Sequence, residues 1–142
     1  MKLLLENWRE YLNENVSYRK PNFEYEWSEA QRYPKLKEMG KKDWLQITAL
    51  GAPAQVGMDI PLADIGNTTG PTAEIAKEKF DELEAPKRER FISAFESGEI
   101  EMPIIIKIDD KYDLLAGNTR FTGLMANNIV PQVWLIDVDK LV

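Results

Sequence analysis

The pentapeptide Ala116-Gly117-Asn118-Thr119-Arg120 sets a glycine, two short hydrogen-bonding side chains and an arginine between one apolar run and a short amphipathic one. That order reads as a strand turning at Gly117 into a helix whose first turn carries Arg120. A helix start presents unpaired backbone N–H donors and partial positive charge, and a guanidinium adds a planar bidentate fork. Gly117, Asn118, Thr119 and Arg120 are therefore candidate ligands for a phosphate. The same residues also fit a glycine turn with an Asn or Thr cap and an arginine paired to a surface carboxylate.

A second candidate loop, Gly66-Asn67-Thr68-Thr69-Gly70-Pro71, sets three small hydrogen-bonding side chains between two glycines, so its backbone can approach a ligand closely. Asn67, Thr68 and Thr69 are candidate ligand contacts, and the loop serves equally as a turn and cap for a helix beginning near Thr72. Candidate general bases are Asp64, beside this loop, and Asp113, on the strand leading into Gly117. The chain has no cysteine and no histidine, which excludes thiol catalysis, disulfides, thiolate metal sites and a histidine base. Catalysis must then use carboxylates, Lys, Arg, Tyr, hydroxyls or a divalent ion brought by the ligand.

These residues need a scaffold, and 142 residues with 44% hydrophobic and 30% charged side chains suit one globular unit. No apolar run reaches the roughly 18 residues of a membrane span, and Glu6 and Arg9 interrupt the leading leucines before they reach signal-peptide length. A cytoplasmic protein without a membrane partner is expected. The net charge of −6 opposes non-specific binding to nucleic acid. Lys87, Arg88 and Arg90 form a basic run that reads as a solvated helix face rather than a nucleic-acid contact.

The apolar pattern predicts an amphipathic helix over residues 2–14, either packed on the domain or docking a partner or a second copy of the chain. Residues 21–27 alternate aromatic and polar as a strand edge or connector. Ser28 offers a cap for a helix to about residue 38, ended by Gly40, and residues 43–50 read as a strand. Helices follow over 72–83 and from Pro86 to Gly98. Ile104 to Ile108 is a strand buried on both faces, and the acidic turn Asp109-Asp110-Lys111 closes a hairpin rather than a cation site. Tyr112 to Ala116 returns, a helix covers residues 121–127, and a strand follows Pro131.

The stretch 103–137, PIIIKIDDKYDLLAGNTRFTGLMANNIVPQVWLID, resembles the distal half of the ParB/sulfiredoxin-like domain, with its Pro-led strand, acidic hairpin, Gly-x-x-Arg element, small-residue helix and closing strand. MDIPLADI, residues 58–65, resembles that domain's opening strand, so the likeness spans about residues 56–142. It implies an α/β (α+β) fold, a small mixed sheet with packed helices. The chain divides near residues 51–57 into an N-terminal helical and aromatic extension, 1–52, packed on a nucleotide-binding domain, 53–142.

In that family the Gly-x-x-Arg element binds nucleotide phosphates. Asn118 stands where the sulfiredoxin branch has its catalytic cysteine, so this chain is no sulfiredoxin. Asn118 and Thr119 stand where the chromosome-partitioning branch has Glu and Arg, and no helix-turn-helix follows the last strand. The resemblance implies a stand-alone member, of a kind also found in bacteriophages, that binds ATP or another nucleotide with magnesium carried by that nucleotide. The expected activity is ATP-dependent phosphotransfer or nucleotide hydrolysis. The alternative is a phage-type adaptor or inhibitor that binds a nucleotide or host protein, or a homodimer formed through the leading helix. A ParB-like nuclease or DNA-binding protein ranks third.

Overall fold

A computed structural model describes residues 16–141 of the chain. The elements run β1 (Ser17–Arg19), α1 (Trp27–Ala30), α2 (Pro34–Met39), α3 (Lys41–Ala49), β2 (Ala52–Gln55), a 3-10 turn (Leu62–Asp64), β3 (Ile65–Gly66), α4 (Ala73–Glu82), α5 (Ala85–Ser97), β4 (Glu99–Glu101), β5 (Ile104–Ile108), β6 (Lys111–Ala116), α6 (Asn118–Ala126), β7 (Gln132–Asp137) and α7 (Val138–Leu141). The fold is mixed α+β. Five strands form a sheet in the order β2-β7-β5-β6-β3, and β1 pairs with β4 in a separate two-stranded ribbon. The β5–β6 and β2–β7 pairs are antiparallel, whereas β5–β7 and β3–β6 are parallel.

The central strand explains the layering. Ile104, Ile105 and Ile106 are all fully buried, and alternation sends Ile104 and Ile106 to one face and Ile105 to the other. On the first face they meet Ala30, Leu36, Trp44 and Ile47 from α1, α2 and α3. On the second, Ile105 meets Ala76 of α4 and Phe121 and Met125 of α6. A fully buried isoleucine contributes about 1.5–3 kcal/mol, so β5 anchors both layers. The described part of the N-terminal extension thus supplies most of the cover for one face of the sheet, with Met102 and the α7 residue Val138 completing that cluster.

Three expectations change on the structure and one is narrowed. Residues 43–50 belong to α3, because Trp44, Ile47 and Thr48 are buried together at helical spacing, and the Trp134 indole N–H donates to the Thr48 carbonyl at 2.9 Å. The helix begun near Ser28 breaks in two, since Pro34 lacks a donor and holds Tyr33 extended. Residues 21–27 take the second of their two readings, a connector that turns into α1 with Phe23 and Trp27 on the core and the Asn22 Oδ1 accepting from the Tyr25 N–H at 3.1 Å. The opening strand over 58–65 is instead a turn at Gly57 (φ 91°), the 3-10 turn and the short β3. The predicted helix over residues 2–14 lies outside the described residues.

The distal elements follow the sequence reading closely. Thr72 caps α4 by accepting from the Ile75 N–H at 3.2 Å, and Gly98 (φ 80°) ends α5 in the left-handed conformation. At the hairpin tip Asp109 and Asp110 both take positive φ, and their N–H groups donate to the two carboxylate oxygens of Asp139 at 2.8 Å. The acidic turn is therefore tied to α7 by its backbone.

The α5–α6 contact brings the basic helix to the Gly117 turn. It depends on Gly123, where an added Cβ would sit 2.6 Å from the buried Phe91 ring. Gly123→Ala should lower stability by about 1–3 kcal/mol through overpacking, read as a reduced midpoint in urea denaturation. An unchanged midpoint would show that α5 can shift freely on α6.

Candidate functional site

β6 delivers the chain to Gly117, which caps α6 at φ 88°. Phe121 N–H donates back to the Gly117 carbonyl at 2.8 Å, and the N–H groups of Asn118, Thr119 and Arg120 have no partner among the described residues. Arg120 folds back over the turn. A Cβ on Gly117 would lie 2.7 Å from Arg120 Nη2 and 2.8 Å from the Pro103 Cα, so only glycine leaves room for the guanidinium.

Arg120 Nη1 faces Glu101 Oε2 at 3.7 Å, with the two side chains 25% and 17% exposed. The other Glu101 oxygen accepts from the Asn22 N–H. Arg120 Nε and Nη2 are buried without an acceptor among the described residues. A charged donor left in that condition is costly, and an anion beside it would lower that cost.

A cavity of about 370 Å³ is lined by Arg19 of β1, Lys87 and Arg90 of α5, Glu101 of β4, and Thr119 and Arg120 of α6. Four cations and a single carboxylate converge there in a chain whose net charge is −6. The basic run thus divides by helical geometry. Lys87 and Arg90, three residues apart, share the cavity face, while Arg88 turns away and donates to the Asp81 and Leu83 carbonyls at 2.8 and 2.7 Å, capping the end of α4.

A second cavity, of about 500 Å³, opens on the other side of the Gly117 turn, where Glu26, Glu29, Arg32, Asn67, Lys87 and Asn118 line it. Lys87 borders both cavities. Glu26 is only 8% exposed, and its carboxylate has no hydrogen bond or ion pair among the described residues. Burial pushes its pKa above the usual carboxylate range; the Arg120 charge opposes this, and Glu101 and Glu29 add to it.

The Gly66–Gly70 loop reaches the site but spends its side chains internally. Asn67 Nδ2 donates to the Tyr33 hydroxyl at 3.1 Å, and the Thr68 hydroxyl accepts from the Gly70 N–H at 3.2 Å. Asn118 Oδ1 accepts from the Thr69 N–H at 3.2 Å, and the Thr69 hydroxyl also contacts Thr122 at 3.2 Å. Thr69 and Asn118 therefore brace the start of α6, while Asn67 ties the loop to Tyr33 and Thr68 closes the loop on itself.

Asp64 and Asp113 line a different cavity, of about 340 Å³, with Gly66, Asp110, Lys111 and Tyr112. Asp113 lies about 13 Å up β6 from Gly117 at roughly 3.3 Å per residue, so neither aspartate shares the Arg120 cavity. The nearby carboxylates, Glu26 and Glu101, and the cation Arg19 went unread in the sequence. They come from an N-terminal turn, β4 and β1, and nothing local marks their approach to Arg120. Only the i, i+3 spacing of Lys87 and Arg90 could have suggested a shared face.

Among the described residues no group of three or more Asp or Glu is placed to hold a metal ion, and no helix is long and apolar enough to cross a membrane. Comparison with protein-family models, curated proteins and solved structures finds no match to this chain.

The folded protein holds the Glu26 proton more tightly than the unfolded chain, so ionised Glu26 costs stability. That cost is complete above the raised folded pKa and vanishes below the unfolded value of about 4.3. Glu26→Gln should therefore melt higher than the parent at pH 8, with the gap closing as pH falls toward 4. Thermal unfolding monitored by circular dichroism across that range reads it, and a gap independent of pH would contradict the assignment.

Proposed function

We propose that this chain binds nucleotide phosphates in the cavity over Arg120 and acts as an ATP-dependent phosphotransferase or nucleotide hydrolase. The observation that carries the reading is the convergence of Arg19, Lys87, Arg90 and the half-paired Arg120 on one cavity at the start of α6, whose first N–H groups have no partner among the described residues. The order of strand, hairpin, Gly117 turn, small-residue helix and closing strand supports placing the chain with the ParB/sulfiredoxin-like proteins, as a stand-alone member.

Phosphoryl transfer asks a protein mainly for positioning and charge neutralisation, which suits a site without histidine or cysteine. Arg120 and the α6 backbone hold the terminal phosphate, and Lys87 and Arg90 stabilise the charge that develops on the leaving diphosphate. Magnesium carried on the nucleotide's own phosphates would add further neutralisation. Glu26, rather than Asp64 or Asp113, is the proton acceptor: it is buried, has no partner among the described residues, and lines the second cavity, which shares Lys87 with the anion cavity and admits the acceptor. As an acceptor hydroxyl or water attacks, its proton passes to Glu26. The new oxygen–phosphorus bond forms, and the bond to the bridging oxygen of the diphosphate breaks.

Arg120→Ala should weaken ATP binding by about 1.5–3 kcal/mol, the value of a charge-assisted contact, in isothermal titration calorimetry. Glu26→Gln should keep that affinity and lose phosphate release or transfer. If ATP with magnesium fails to bind the parent protein, or binds Arg120→Ala equally well, the reading falls.

A further inference from the structure

Resting on that reading, we infer that the cavity over Arg120 recognises a chain of linked phosphates and is blind to the base attached to it. The charge exceeds what one phosphate group requires. Glu101 is already engaged by the Asn22 N–H and Arg120, and Arg19 is shared with Glu99 at 3.4 Å. Lys87 and Arg90 have no ion-pair partner among the described residues. A single phosphate monoester carries about −1.5 to −2, whereas this array draws cations from three separate elements. Lys87 and Arg90 alone are offset by about 4.5 Å along α5, at 1.5 Å rise per residue, which suits successive phosphates better than one point charge.

Nothing in the lining is built to read a base. The single aromatic there, Phe91, is 4% exposed, packs against Gly123 and is flanked by Phe80 and Phe95, so it offers no free face for stacking. Thr119 is the sole uncharged side chain with a hydrogen-bonding group in the lining, and Ala94 completes the wall. The neighbouring cavity beyond Gly117 has no aromatic ring in its lining. At about 370 Å³ the anion cavity stands at the small end of ligand sites, room for phosphates rather than for a whole nucleotide. The phosphate chain could be the tail of any nucleoside triphosphate or free inorganic polyphosphate.

Calorimetric titration of the full chain with inorganic tripolyphosphate, ATP, GTP, CTP, adenosine and an oligothymidylate tests this. The four polyphosphates should bind with dissociation constants within about fivefold of one another, adenosine and the oligothymidylate should give no heat, and Arg90→Ala should weaken all four by about tenfold or more. Arg90 is exposed, so its melting temperature serves as the control for folding. ATP binding more than about tenfold tighter than tripolyphosphate, binding of adenosine, or oligothymidylate binding as tight as tripolyphosphate would overturn the inference. Affinities unchanged in Arg90→Ala would overturn the location. If nucleotides bind and tripolyphosphate does not, base-blindness alone falls; if no phosphate compound binds, the phosphate reading falls with it.

Discussion

A guanidinium held under a glycine turn, with two of its nitrogens lacking acceptors among the described residues, is the constraint around which this molecule is arranged. Arg120 reaches that place because Gly117 has no Cβ and takes a left-handed φ that other residues adopt at a cost. Glu101 partly offsets the charge at a distance too long for a strong hydrogen bond, and is itself oriented by the Asn22 backbone. A fully satisfied arginine would be a structural ion pair. Its pairing among the described residues is incomplete, and three more cations line the cavity beside it.

The rest of the fold holds this turn still. β5, buried on both faces, fixes the hairpin partner β6 that ends at Gly117, and the contact of α6 with α5 through Gly123 and Phe91 brings Lys87 and Arg90 to the same side. The Asn67–Gly70 loop brings no open ligand of its own but locks Asn118 and Thr122, so that the helix start keeps its direction. The segment before β2 is no mere appendage in this respect. It covers one face of the sheet and also carries Glu26, Glu29 and Arg32 to the second cavity.

Where the sequence was legible, local chemistry decided the outcome. The Asp109-Asp110 turn, the Thr72 cap, the Gly98 stop and the Gly117 turn each depend on residues adjacent in the chain, and each appears where its signal stands. Residues 43–50 misled because Ile47 and Thr48 favour strands by type, while burial of Trp44 with Ile47 required a helix. The candidate site divides along the same line. Arg120 and the free donors of α6 could be placed from Gly117-Asn118-Thr119-Arg120, but its companions Arg19, Glu26 and Glu101 arrive through tertiary packing over long sequence separation. Asp64 and Asp113 were chosen for closeness in sequence, and the sheet carries them to another cavity.

The central claim is that an anion completes the coordination of Arg120. Nitrogen-15 NMR during titration with ATP and magnesium tests it most directly, because the Arg120 side-chain Nε–H and the backbone amides of Asn118, Thr119 and Arg120 report on their own hydrogen bonds. The account predicts that these four signals move together and saturate, with the amides of Gly66 and Asp113 shifting far less. Saturable shifts centred on Gly66 and Asp113, with the Arg120 Nε–H unmoved, would contradict it.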